Sequence, residues 1–115
     1  MDDIKLLAQK IDEFATKRDW GQFHSPKNLA MALSVEAGEL LEQFQWLTIS
    51  QSDTLTNDKL KKVKDELADV FIYLVRLSSR LGIDLVVAAN EKITKNEIKY
   101  PVEKAKGNAT KYTEL

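Results

Sequence analysis

The sequence predicts an all-α protein, with an antiparallel four-helix bundle-like protomer. Three observations predict it. Helix formers dominate the 115 residues, while the breakers Gly (4) and Pro (2) are scarce. Apolar residues recur at three- and four-residue spacing in four separate segments. No stretch carries a pattern that supports a β or parallel arrangement.

The first helix runs from residue 3 to about 18, on the spacing of Ile4, Leu7, Ile11 and Phe14, with Asp2 or Asp3 as its cap. Residues 18 to 24 break the pattern and read as a loop rich in aromatic side chains. Ser25-Pro26 starts a second helix: Ser caps it, and Pro takes the first position, where its missing N–H costs nothing. This helix is predicted to reach about Trp46, with Gly38 inside it. A mid-helix Gly costs about 1 kcal/mol relative to Ala, so a close approach by another helix or a ligand is expected there. Residues 48 to 57 read as a polar connection. The third helix spans about Asn57 to Leu81, with Gly82 as its C-cap. Between Leu67 and Leu77 it is apolar nearly all round, which predicts the central, most buried helix. Asp84 caps a fourth helix, roughly Leu85 to Lys99, ended by Tyr100-Pro101. The polar stretch from Pro101 to Leu115 lacks helical periodicity, and its composition alone is compatible with disorder.

Composition narrows the classes of function. A net charge of −1 gives no overall basic field for nucleic acid. The absence of cysteine removes disulfides and thiolate metal sites and suits a cytoplasmic protein. Met-Asp-Asp-Ile-Lys is no signal peptide, and no apolar run approaches the roughly 18 residues of a membrane span. A single domain over residues 1–115 is expected.

The chemistry concentrates in two spaced pairs of acids. Glu36 and Glu39 stand in Ser-Val-Glu-Ala-Gly-Glu-Leu-Leu, and Glu66 and Asp69 in Asp-Glu-Leu-Ala-Asp-Val-Phe-Ile. Residues three apart project from the same side of a helix, so each pair is a two-pronged fork. On a helical wheel Glu36 falls within about 40° of Leu29, Ala32, Leu40 and Gln43. Asp69 is the only charge from Leu67 to Val75. Acids bordering apolar arcs need a partner, because buried charges are paired or hold a metal. Hard oxygen donors with no thiolate suit Mg²⁺, or Mn²⁺. A di-iron bundle would need Glu-x-x-His on two helices, and the one histidine, His24, lies in a loop. An EF-hand loop is also missing. Since Mg²⁺ usually binds a few carboxylates together with substrate phosphates, a phosphate ester is the implied substrate.

Two further sets of residues fit that substrate. Trp20, His24, Trp46 and Tyr73 together place flat surfaces near both forks, as a nucleobase platform requires, although each taken singly fits core packing better than ligand contact. Lys92, Asn96 and Lys99 line one face of the fourth helix, as a donor row for phosphate oxygens or as a solvated stripe.

Glu-x-x-Glu, a gap, then Glu-x-x-Asp on adjacent helices resembles the all-α, MazG-like nucleoside triphosphate pyrophosphohydrolases. Residues 18–29, Phe44-Gln45-Trp46, residues 66–74 and Lys111-Tyr112-Thr113-Glu114-Leu115 are similar to the dCTP pyrophosphatase branch of that family, and the similarity covers nearly the whole chain. The resemblance implies Mg²⁺-dependent hydrolysis of a deoxynucleoside triphosphate to the monophosphate and pyrophosphate. It implies that Glu36, Glu39, Glu66 and Asp69 hold the metal and that Trp20, His24, Trp46 and Tyr73 surround the base. It further implies that Lys92, Asn96 and Tyr100 serve the phosphates and the pocket wall, and that the chain forms a homo-oligomer, a dimer of dimers. A broader dNTP or dUTP pyrophosphohydrolase and a catalytically silent nucleotide-binding module are the alternatives. Stacking surfaces do not separate bases, since every base has a π-face.

Overall fold

The computed structural model describes residues 2–115, and all regular secondary structure in them is helical. The chain divides into two compact units, Met1–Gly82 and Ile83–Leu115. No helix among the described residues is long and apolar enough to cross a membrane.

In the first unit, α1 spans Asp3–Lys17. The Asp2 carboxylate accepts from the Lys5 N–H at 2.8 Å, which satisfies one of the open N–H groups of the first turn. At the other end Trp20 N–H reaches the Ala15 carbonyl at 3.0 Å, and Asp19 N–H reaches Thr16 at 3.1 Å. This is a Schellman closure with Asp19 in the left-handed region, φ 55°. Asp tolerates that conformation better than most residues, and Gln22 Nε2 donates to both its carbonyl and its carboxylate. The turn sets Trp20 at the head of a single 3₁₀ turn, Gly21–Phe23.

Helix α2 covers Pro26–Glu42, capped by Ser25, whose hydroxyl accepts from Asn28 N–H at 3.1 Å. It ends four residues before the expected Trp46, because bonds such as Phe44 N–H to Leu41 and Leu47 N–H to Phe44 tighten the last stretch into turns. The expected polar connection holds a short helix, α3 (Ile49–Asp53). Its signal was a capping box: the Thr48 hydroxyl accepts from Gln51 N–H, and the Gln51 side chain accepts from Thr48 N–H.

Helix α4, Asn57–Leu81, begins at a Thr56 cap and closes on Gly82 in the left-handed conformation, φ 68°. Both α1 and α2 pack against it. It carries the buried Val63, Val75, Arg76 and Ser78, while α1 and α2 contribute Ala15 and Leu29. The helix is thus central as expected, but it is not covered all round. Leu67 remains 51% exposed, and Phe71 and Leu74 are exposed beside it, because two helices reach only part of its circumference.

Gly38 lacks the close neighbour its position suggested. A Cβ built there meets nothing within 4 Å. Gly38→Ala is therefore expected to raise stability by about 1 kcal/mol in urea unfolding, since Ala restricts the unfolded chain and suits the helix better. A loss of stability would reveal a group that needs that space.

The second unit holds α5, Leu85–Lys99, whose first turn is capped by the Asp84 carboxylate accepting from Val87 N–H at 3.1 Å. Pro101 cannot continue the helix and instead precedes a one-turn α6, Val102–Ala105. The stretch whose composition is compatible with disorder is ordered by contacts that periodicity does not display. The Tyr112 ring, in a 3₁₀ turn (Tyr112–Glu114), meets Tyr100 edge-on at 6.0 Å and carries the Lys99 ammonium 4.8 Å from its centroid.

Candidate active site

The α2–α4 packing brings the two forks together. Carboxylate oxygens of Glu36, Glu39 and Glu66 lie within 4.8 Å of one another. Glu36 shares its face of α2 with the buried Leu29, as the helical wheel required. Each glutamate is partly covered, yet Glu36 Oε2 and Glu66 Oε2 are shut off from solvent with no hydrogen-bond partner. No salt bridge reaches any of the four acids among the described residues.

Such crowding forces protons on. Burial, the hydrogen bond and charge of Glu39, and the charges of Asp69 and Glu66 push the Glu36 carboxyl up to about 7. Burial, Glu39 and Asp69 also raise Glu66. Unpartnered buried carboxylate oxygens are costly, and a divalent cation is the partner that three hard oxygen donors suit. The residues present fit such an ion. Glu36, Glu39 and Glu66 are the ones whose oxygens already converge. Asp69 stands outside that group of three and acts on it through charge.

Asp69 instead lines a cleft of about 230 Å³, together with Ile72, Tyr73 and Arg76 of α4, Trp20 and His24 of the connection between α1 and α2, and Phe14 of α1. Three of the four expected aromatic positions therefore share one wall with an acid of the second fork. Trp20 meets Phe14 edge-on at 5.6 Å and His24 at 6.2 Å, which fixes its ring plane. Trp46 is not brought there: it lies beyond the end of α2 and is 87% exposed. Lys92, Asn96 and Tyr100 belong to the second unit. There the Lys99 ammonium beside Lys92, with burial and Lys95 adding less, pulls the Lys92 pKa below its ordinary value.

The sequence reading missed Arg76 and Asp12. Arg76 is buried, at 9% exposure, and is ion-paired with Asp12 of α1. Its Nε–H donates to His24 Nδ1 at 3.2 Å, and Arg80 Nε–H donates to the His24 carbonyl at 3.2 Å. The signal was a stripe: Asp69, Tyr73, Arg76 and Arg80 recur at four, three and four residues on one face of α4. Burial, then Arg76, then Arg80 lower the His24 pKa below its ordinary value.

A model of the MazG-like family matches residues 31–115. The chain is 43% identical to mouse dCTP pyrophosphatase 1 over 121 residues, covering 100% of this chain and 67% of the mouse protein. It is 42% identical to the human protein of the same name over 117 residues, with the same coverage. Among solved structures it is similar to a pyrophosphatase from Archaeoglobus fulgidus DSM 4304. The TM-score is 0.82 and the identity 37%, covering 88% of this chain and 94% of that one.

Proposed function

The chain belongs to the MazG-like family, and from that premise we infer that it is a nucleoside triphosphate pyrophosphohydrolase that cleaves dCTP to dCMP and pyrophosphate. The observation that carries the reading is the convergence of Glu36, Glu39 and Glu66 with two orphaned oxygens, beside a cleft walled by Trp20, Tyr73 and Asp69. The family match runs through residue 82 into the second unit, which supports one functional domain over residues 1–115.

Glu36, Glu39 and Glu66 would hold Mg²⁺, with Asp69 completing the acidic set. Bound there, the ion supplies Lewis acidity to the phosphoryl oxygens and to water. The protein's own groups do the rest. Trp20 and Tyr73 give the base flat surfaces, and burial in the cleft excludes bulk water from one side of it. Water attacks the α-phosphorus in line: an O–P bond forms, the bond to the bridging oxygen breaks, and pyrophosphate departs with the bonding pair. A carboxylate of the set accepts the water's proton. Lys92 and Asn96 give α5 donors whose chemistry suits phosphate oxygens. The aromatic wall orients the nucleotide, and Asp69 at its edge joins that wall to the acidic set, which accounts for acids and rings sharing one boundary.

The protomer is read as a bundle-like unit of a homo-oligomer, a dimer of dimers. Exposed Leu60, Leu67, Phe71 and Leu74 form an apolar stripe along α4 at the spacing that a partner helix would cover. A hydrolysis panel tests the reaction: all common nucleoside triphosphates and 5-methyl-dCTP, with Mg²⁺ or chelator. Release of dCMP and pyrophosphate only with the metal, and faster than for the purine triphosphates, is expected. Binding without cleavage would leave a silent nucleotide module in its place.

A further inference from the structure

The imidazole of His24 has two nitrogens, and the fold uses one of them. Arg76 cannot accept a hydrogen bond, so its Nε–H contact at 3.2 Å makes His24 Nδ1 the acceptor. The ring proton then resides on Nε2. With Nδ1 accepting, Nε2–H is the hydrogen-bond donor that the ring of His24 brings to the wall of the cleft it lines. The rest of the surroundings hold this arrangement in place. Asp12 on α1 anchors the Arg76 guanidinium, and Arg80, one turn along α4, grips the His24 carbonyl. Both arginines are thus spent on one loop histidine, and the buried one touches its ring.

We propose that Arg76 is a positioning residue for nucleotide selection: it fixes His24 as the Nε2–H tautomer, so that the cleft carries a constant hydrogen-bond donor for an acceptor atom on the pyrimidine edge. This rests on the reading that the cleft takes the base. O2 accepts in every pyrimidine, but N3 accepts in cytosine and carries a hydrogen in uracil and thymine, so a fixed donor meeting N3 distinguishes them where stacking does not. A buried polar group left unpaired by the wrong base is what makes such selection effective. Lysine at position 76 would keep a positive charge within reach of Asp12 but lacks the planar fork that serves Asp12 and His24 together.

His24 is the only histidine, so nitrogen NMR of the labelled full chain reads its tautomer without assignment. The wild type is expected to show a protonated Nε2 and a bare Nδ1. Arg76→Lys is expected to mix the tautomers and to raise the KM for dCTP about tenfold, the cost of about one hydrogen bond, while kcat moves less than about twofold. A merely structural role would instead lower kcat and thermal stability and leave the tautomer alone. Should the Arg76 variant fail to fold, Asp12→Asn, at a side chain 48% exposed, loosens the same anchor and is expected to shift the tautomer in the same direction. A proton on Nδ1 in the wild type, or an unmoved tautomer in these variants, would overturn the proposal. The expected tautomer in a protein that leaves dCTP intact would support the Arg76 contact and overturn the reaction instead.

Discussion

Glu36→Gln is expected to cut dCTP hydrolysis on the order of a thousandfold and, at the same time, to stabilise the metal-free protein at neutral pH. The two effects share one cause. Glu36 Oε2 has no hydrogen-bond partner, a carboxylate oxygen of Glu36 lies within 4.8 Å of those of Glu39 and Glu66, and the carboxyl is raised from the ordinary 4.5 to about 7. Between those pH values the folded protein keeps a proton that the unfolded chain releases. Stability therefore falls as pH rises through that window, and the contribution is fully present only below about 4.5. Glu66, raised as well, acts in the same direction. Gln has no proton to lose, and its amide can donate to a neighbouring carboxylate, so the variant's melting temperature should decline less from pH 4.5 to 7. Mg²⁺ should reverse the trend in the wild type, since an ion that binds only the folded state stabilises it by mass action, and should do little for the variant. Thermal unfolding across pH, with Mg²⁺ and with chelator, beside a pyrophosphate-release assay, measures all of this. Full turnover in the Gln variant would remove Glu36 from the metal set. An equally steep pH dependence would show that the crowding lies elsewhere.

The four long helices were legible because each rests on local chemistry: Asp2, Ser25 and Asp84 are side chains that accept from N–H groups three residues on, and Thr56, a cap the sequence analysis did not name, does the same for α4. The convergence of Glu36 and Glu39 with Glu66 was legible for a related reason, since helical spacing turned both forks toward apolar arcs. What escaped the sequence reading is tertiary. The order of the C-terminal stretch rests on Tyr112 meeting Tyr100 and Lys99, contacts that no period announces. The hold of Arg76 on His24 joins residues 52 apart in the chain, and its bond to Asp12 joins residues 64 apart. The exposure of Leu67 on a helix that reads as apolar all round shows the limit of the pattern itself: apolarity marks surfaces to be covered, and says nothing of whether the same chain covers them.

Asp69→Ala is expected to lower dCTP turnover on the order of a thousandfold while leaving dCMP binding within about threefold of wild type. Asp69 stands where two environments meet. Its charge raises the Glu36 and Glu66 carboxyls, yet its side chain lines the cleft with Trp20, His24 and Tyr73. Removing it leaves the three converging glutamates in place, together with the aromatic wall. The monophosphate needs that wall and little of the acidic set, so its affinity should survive. The triphosphate needs the metal and a fixed α-phosphorus, so its cleavage should not. The mutation also removes a negative charge from a crowded acidic site, so the metal-free protein should melt no earlier than wild type. That separates lost chemistry from lost folding. Calorimetric titration with dCMP, a turnover assay with dCTP and a melting curve, taken on one preparation, give the three readings. Unchanged turnover would confine the chemistry to the three glutamates. A parallel loss of dCMP affinity would make Asp69 a part of base recognition, and its place between the forks and the cleft would then have to be explained from the cleft side.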